Sequence, residues 1–409
     1  VTRLASVDPV LMGVKLEAAA HRSSATVGQG GIRAPGARLS LAAFQGNRMH
    51  RSLPVALLAA SLLASCSTEL DINEPYKDIT VVYGLLNQRD SIHYIKINKA
   101  FLGEGDALAM AQVQDSSEYP AEAITLAKVY REDGFGNILD SFPLNDTIVQ
   151  DREPGTFYSP IQKLFYFRSD FTQVLPPGTS GVPMYLWQDD NYRLKLQING
   201  KTISAKTAIT NDFKVDPVDQ DTVANAARVG LRNQSGTDYS EYEFNWISRA
   251  DCKRFVVSWK LRYDEVTGTD TVHKAIEQII GTKVSSFVNE EMAIRLSGVT
   301  FFSTVAARIK AESGWQNADK RIFRGLDFPV TVANDDFHTY LTLTEPVTGI
   351  VNDRPAYSNL ENAIGVWGSR YTKTVRGKRL STTSFSELID GPYTADLRFC
   401  SPQDAFPCP

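Results

Sequence analysis

Tyr192, Leu194, Leu196 and Ile198 alternate with Arg193, Lys195 and Gln197, and after Asn199-Gly200 the alternation resumes through Ile203, Ala205, Thr207 and Ile209. A period of two puts one set of side chains on one face of a strand, and Asn-Gly supplies the positive φ of a two-residue hairpin turn. Such a segment has one wet face and one apolar face that needs a second layer to cover it, as in a β-sandwich. The same pattern recurs. Ile79-Thr80-Val81-Val82-Tyr83 is rich in β-branched residues, and residues 92–101 alternate Ile95 and Ile97 with Lys96 and Asn98. Residues 124–131 and 138–144 flank Asp133-Gly134-Phe135-Gly136-Asn137, whose glycines favour a tight reversal. Residues 157–167, with Phe165-Tyr166-Phe167, read as strand core.

These segments predict a first β-domain over residues 78–209. Residues 210–220 (TNDFKVDPVDQ) have the polar, proline-containing composition of a linker. A second domain is expected over 221–375. It contains the strand Phe255-Val256-Val257-Ser258-Trp259-Lys260-Leu261-Arg262-Tyr263, a short helix at 273–280 and a longer one at 299–312 ended by Gly314. Strands are expected at 328–333, 337–344 and 363–371. Residues 376–409 form a tail with Cys400 and Cys408. The fold class is therefore mainly β, with a β-rich α+β second domain.

The N-terminal region is of a different kind. Met49-His50-Arg51-Ser52 precedes an apolar run over 53–63 that ends in Leu63-Ala64-Ser65-Cys66. This is the n-region, h-region and small-residue cleavage pattern of an export signal over 49–65, with Cys66 placed to take a thioether-linked diacylglycerol; an ordinary cleaved signal in which Cys66 is incidental is the alternative. Eleven residues rise only about 17 Å as a helix, half of a bilayer core, so a permanent span is not expected. Residues 1–48, rich in Ala, Arg and Gly, read as a mis-called start or a disordered extension. Residues 66–77 read as a tether, in which Glu69 and Asp71 give only a faint acidic pattern after the cysteine. Removing residues 1–65 takes the net charge from −4 to −9 and leaves 344 residues. An acidic chain without a basic patch excludes nucleic acid as a partner class.

Chemistry-bearing patterns are sparse. His93, His273 and His338 fall in separate elements, with no HExxH and no cysteine pair at two-residue spacing, so neither a metal nor a catalytic constellation is expected. His93 and His338 read as surface or edge strand residues. The pairs Asp189-Asp190, Glu290-Glu291 and Asp335-Asp336 read as solvated turns, because strand neighbours point to opposite faces. Cys400 with Cys408 would close a nine-residue loop, contributing about 2–3 kcal/mol by chain entropy; Cys252 bonded to either of them is the alternative pairing. Trp246, Trp259 and Trp367 lie in alternating strands and read as core. Trp187 and Trp315 sit in polar, loop-like sequence, where an exposed ring could touch a glycan or a protein.

The order lipobox, short tether, Gly84-Leu85 closing a strand, Tyr94-Ile95-Lys96-Ile97, and Tyr192-Arg193-Leu194 before Asn199-Gly200-Lys201 resembles a family. So does Ser358-Asn359-Leu360-Glu361-Asn362 leading into Gly365-Val366-Trp367-Gly368. The family is that of Bacteroidota outer-membrane lipoproteins catalogued as a domain of unknown function and often encoded beside TonB-dependent transporters. The resemblance covers residues 66–371 and implies an N-terminal immunoglobulin-like β-sandwich, lipid anchoring in the outer membrane through Cys66, and no catalytic residues or cofactor beyond that diacylglycerol. It implies a non-enzymatic accessory role to such a transporter, in ligand capture or scaffolding. A stand-alone lipoprotein binding a glycan, peptide or protein is the alternative, and a hydrolase the remote one. The membrane face is left open, and the tail has no counterpart in the family.

Overall fold

The computed structural model describes residues 79–100, 107–150, 152–155, 158–169, 184–216, 219, 228–345, 357–404 and 406–408. The expected extension, signal, lipobox and tether (1–77) lie outside the described residues. The protein is mainly β. Its strands are β1 (Ile79–Leu86), β2 (Ile92–Ala100), β3 (Ile124–Glu132), β4 (Ile138–Pro143), β5 (Asn145–Val149), β6 (Gln162–Arg168), β7 (Asn191–Ile198) and β8 (Lys201–Ala208). They continue as β9 (Lys214–Val215), β10 (Glu241–Ile247), β11 (Arg254–Thr267), β12 (Asp270–Val284), β13 (Glu291–Ser297), β14 (Lys320–Ala333), β15 (Leu360–Glu361), β16 (Ala363–Lys378) and β17 (Phe399–Cys400).

The largest sheet runs β12-β11-β14-β16-β1-β2-β6-β5, with β17 attached to β14; β15-β8-β7-β3-β4 and β13-β10-β9 form two more. Two main cores result. The first is filled by Val82, Ile95 and Phe167 from the large sheet and Val129, Leu194 and Ile203 from the five-stranded one. In the second, Trp246 and Phe244 meet Trp259, Phe328 and Val330, and the helix Gly298–Lys310 adds Phe301, Phe302 and Val305.

Strand β16 belongs to both. Its first half pairs in parallel with β1, from Thr80 opposite Ala363 to Leu86 opposite Ser369. Its second half pairs antiparallel with β14, beginning at Ala333 opposite Arg370. Trp367 is buried in the first core, whereas Tyr371 and Val375 are buried in the second. The stretch expected as a linker at 210–220 therefore divides neither the sheets nor the cores cleanly, and Phe213 and Val215 within it are buried in the second core. Leu360 and Trp367, assigned by sequence to the second domain, complete the first, and all the strands fall within one compact unit. The tail expected at 376–409 is not appended either. It supplies the last residues of β16, the helix Thr382–Asp390 and β17, and Leu380, Phe385, Leu388 and Phe399 are buried in the second core.

Two elements differ in kind from the sequence reading. Residues 273–280, expected as a helix, lie inside β12, which pairs along its length with β11 through a turn at Gly268 (φ 59°). Residues 337–344, expected as a strand, lie in the helix Asp335–Thr344. Asn334 caps that helix, its Oδ1 accepting from the Phe337 amide at 3.1 Å. Phe337, Tyr340 and Leu341 cover the outer face of β1, packing with Tyr83, Leu85 and Val366. That covering explains why β1 is apolar on both faces, an arrangement that strand periodicity cannot register. His93, expected at the surface, is buried and stacked on Phe167 with ring centroids 4.6 Å apart; His338 is on the helix.

Candidate functional site

Leu63, Ala64, Ser65 and Cys66 lie outside the described residues, so the lipidation site has no geometry here. Among the described residues β1 comes first, beginning at Ile79, and twelve residues, 67–78, separate it from Cys66, a length of chain that can span at most about 40 Å.

The two tryptophans expected as exposed ligand contacts are both half-buried. Trp187 precedes β7; its amide donates to the Tyr192 hydroxyl at 3.1 Å, and the Arg131 guanidinium carbon lies 5.6 Å from its ring centroid. Trp315 packs against the second core, its carbonyl accepts from Arg321, and Lys310 Nζ is 5.8 Å from its ring centroid. Both polar-looking contexts hide structural work, since Trp187 meets a cation from β3 and Trp315 packs on the second core beside a cation from the preceding helix. Cys400 and Cys408 are joined in a disulfide with Cα atoms 5.0 Å apart, while Cys252 is free and buried. Burial pushes the Cys252 thiol up to about 12, against hydrogen bonds involving Asn211 and Arg249 that act the other way.

Sequence reasoning missed a charged network on β11, β12 and β14. The buried Asp264 carboxylate meets His273 Nδ1 at 2.7 Å and accepts from Arg324 Nε at 2.7 Å. Asp327 accepts from Arg262 Nε at 2.8 Å, and Glu265 accepts from Lys274 at 2.7 Å and Arg321 Nε at 3.0 Å. Arg324 reaches Asp264 because a bulge between Arg262 and Tyr263 inserts it into the ladder. A hairpin reading of 254–284 would have brought Asp264 and His273 together, since they are directly opposite in its register. A shallow cavity of about 310 Å³ opens beside them, lined by Arg262, Tyr263, Asp264, His273, Lys274 and Ala275. Burial pushes the Asp264 carboxyl up, but the bonds from His273 and Arg324 outweigh it and hold the group below the usual carboxylate range. A carboxylate-oriented imidazole can accept a proton, and among the described residues no hydroxyl or thiol hydrogen-bonds to His273.

A second open cavity, of about 360 Å³, lies between the 232–236 turn and the helix Thr382–Asp390. At its wall Glu387 accepts from the Tyr239 hydroxyl at 2.6 Å and pairs with Arg232 Nε at 3.4 Å. Those bonds join two segments of the second core and use the charged atoms on each other. Among the described residues no three histidine, cysteine, aspartate or glutamate side chains converge as metal ligands. No helix among them is long and apolar enough to cross a membrane.

No family model matches this chain, and no curated protein matches it either.

Proposed function

We propose that the chain is a non-enzymatic lipoprotein of the outer membrane, anchored through diacylglycerol on Cys66 and acting as an accessory to a TonB-dependent transporter. The observation that carries the reading is the sequence spacing between Leu63-Ala64-Ser65-Cys66 and β1. A lipid-modified cysteine twelve residues ahead of a folded β-body holds that body within about 40 Å of the bilayer, where a barrel protein's outer loops or periplasmic turns are in reach. The shared strand β16 supports a scaffolding role, since it joins two cores without a flexible hinge in the sheet. The first core, closed by sheets β15-β8-β7-β3-β4 and β16-β1-β2-β6-β5, is read as the immunoglobulin-like sandwich.

The test has two arms. Cells fed a labelled fatty acid should label the wild-type chain and retain it in the outer membrane, while Cys66→Ala should lose both label and membrane. A chain that stays soluble and unlabelled overturns the anchor. Extraction in mild detergent should bring a TonB-dependent barrel with the lipoprotein, and a lipoprotein that repeatedly emerges alone overturns the accessory role.

A further inference from the structure

The turn joining β3 to β4 presents the most exposed large apolar side chain in the described residues. Phe135 is 94% exposed, and Ile138 and Leu139 beside it are 62% and 48% exposed. This is not a loose loop. Asp133 Oδ1 accepts from the amides of Phe135 at 2.9 Å and Asn137 at 2.8 Å, and Asp133 Oδ2 accepts from Asn137 Nδ2 at 2.8 Å. The Asp133 amide donates to the Asn137 carbonyl at 3.0 Å, and Gly136 takes the positive φ of 88° that closes the turn. Five residues are thus fixed so that an aromatic ring stands in water. A preformed aromatic tip loses little entropy on docking, which is the property of an interface anchor.

The surroundings say what it would dock into. Asp140 lies opposite Arg131 in the β3–β4 register, and Asp190 pairs with Arg131 at 3.3 Å. Asp189 and Asp133 are close enough to Asp190 to reinforce the upward push that burial gives its carboxyl. Asp133, Asp140, Asp189 and Asp190 share the Arg131 guanidinium, while the neighbouring Glu132 is met by Arg193 and Lys206, so an acidic collar remains beside the apolar tip, with Trp187 at its foot. An anionic lipid surface would repel that collar, whereas lysine or arginine around an apolar hollow would complement it. Topology agrees. The strand ladders put Ile79, where the chain arrives from Cys66, level with the start of β8, while Glu132 pairs with Asn191 at the far end of β7. The tip and the point of chain entry are at opposite ends of the first core.

We propose that the Asp133–Asn137 hairpin is a docking tip whose partner is a protein presenting an apolar pocket rimmed by basic side chains. This rests on the partner-dependent reading above and names the surface that would serve it. The experiment is photo-crosslinking in the native host, with p-benzoylphenylalanine in place of Phe135 in the full-length chain. The expected result is one protein adduct whose crosslinked peptide carries lysine or arginine beside apolar residues. Its yield should fall about tenfold or more when Asp140→Lys and Asp189→Lys are added. Adducts to lipid alone, no adduct, or a yield indifferent to charge reversal overturn the docking tip. Co-purification with Phe135→Asp separates the two readings: a barrel recovered equally with wild type and variant discards this surface and keeps the accessory role. Because Phe135 is almost wholly exposed, the variant should melt as wild type does.

Discussion

A Cβ atom on Gly84 would stand 2.5 Å from both Cε3 and Cζ3 of Trp367, so the glycine is the space that the indole fills. Trp367 is fully buried, and its Nε1 donates to the Tyr192 carbonyl at 2.9 Å. Asn359 grips its backbone, Oδ1 accepting from the Trp367 amide at 3.0 Å and Nδ2 donating to its carbonyl at 2.6 Å. At Gly365 (φ 121°) a Cβ would come within 2.0 Å of the Val82 carbonyl oxygen. The Ser-Asn-Leu-Glu-Asn to Gly-Val-Trp-Gly motif is therefore the closure of the first core rather than a site.

Gly84→Ala should cost about 1–3 kcal/mol by overpacking, and Trp367→Ala about 3–5 kcal/mol by leaving a cavity. Urea unfolding followed by circular dichroism reads both. A Gly84→Ala chain as stable as wild type would mean that the indole has room to shift.

His93 makes stability depend on acid. Burial pushes its imidazole down to about 3, against a hydrogen bond with the Asp90 backbone that works the other way. Below about pH 6.5 the unfolded imidazole takes up a proton that the folded one refuses, so the unfolded state binds more protons and stability falls as pH drops towards 3. His93→Phe keeps the stacking partner of Phe167 and removes this dependence. The variant should gain on wild type by up to about 1.4 kcal/mol for each pH unit between 6 and 4, measured by denaturant melts.

Thiol titration should separate the cysteines. In a Cys66→Ser chain, native protein should be unreactive to Ellman's reagent, since Cys252 is buried and Cys400 is bonded to Cys408. Denaturation without reductant should release one thiol. Replacing Cys400 and Cys408 together by serine should cost about 2–3 kcal/mol. A native thiol titre of one would contradict the buried assignment of Cys252.

Asn334 ties the two cores where β16 changes partners. Besides capping its helix it accepts from the Ser369 amide at 3.1 Å and donates to Thr207 Oγ1 at 2.7 Å, and Ser369 Oγ accepts from the Thr210 amide at 2.8 Å. Asn334→Ala loses the cap and leaves a buried amide unmet, a cost of about 2–4 kcal/mol. Wild-type unfolding should be one transition by tryptophan fluorescence and by circular dichroism. Asn334→Ala should lower its midpoint; an unshifted midpoint would show that the knot contributes nothing.

Sequence carried the local part of this architecture well. Asn199-Gly200 does turn β7 into β8, with φ of 48° and 76°, and Phe255, Val257, Trp259, Leu261 and Tyr263 do share the buried face of β11. The helix over 299–312 is present as Gly298–Lys310. The failures arise where a distant partner sets the structure. β12 is an edge strand with most of its residues exposed, so its pattern lacks the alternation of a half-buried strand. In the helix Asp335–Thr344, three threonines speak for strand locally, and the Asn334 cap with packing onto β1 overrides them. Trp187 and Trp315 looked exposed because what they pack against, Arg131 of β3 for the first and the second core for the other, is remote in sequence. The meeting of Asp264 with Arg324 depends on a bulge that spacing cannot foretell.

The change of partners along β16 also orders events during synthesis. Leu86 waits for Ser369, and the cleft over Gly84 waits for Trp367, so the earliest strands to leave the ribosome cannot finish their core. They must persist half-closed, with an apolar slot open to any chaperone or stray strand, until the last part of the polypeptide arrives. A truncation at Ile209 would make that exposed intermediate permanent.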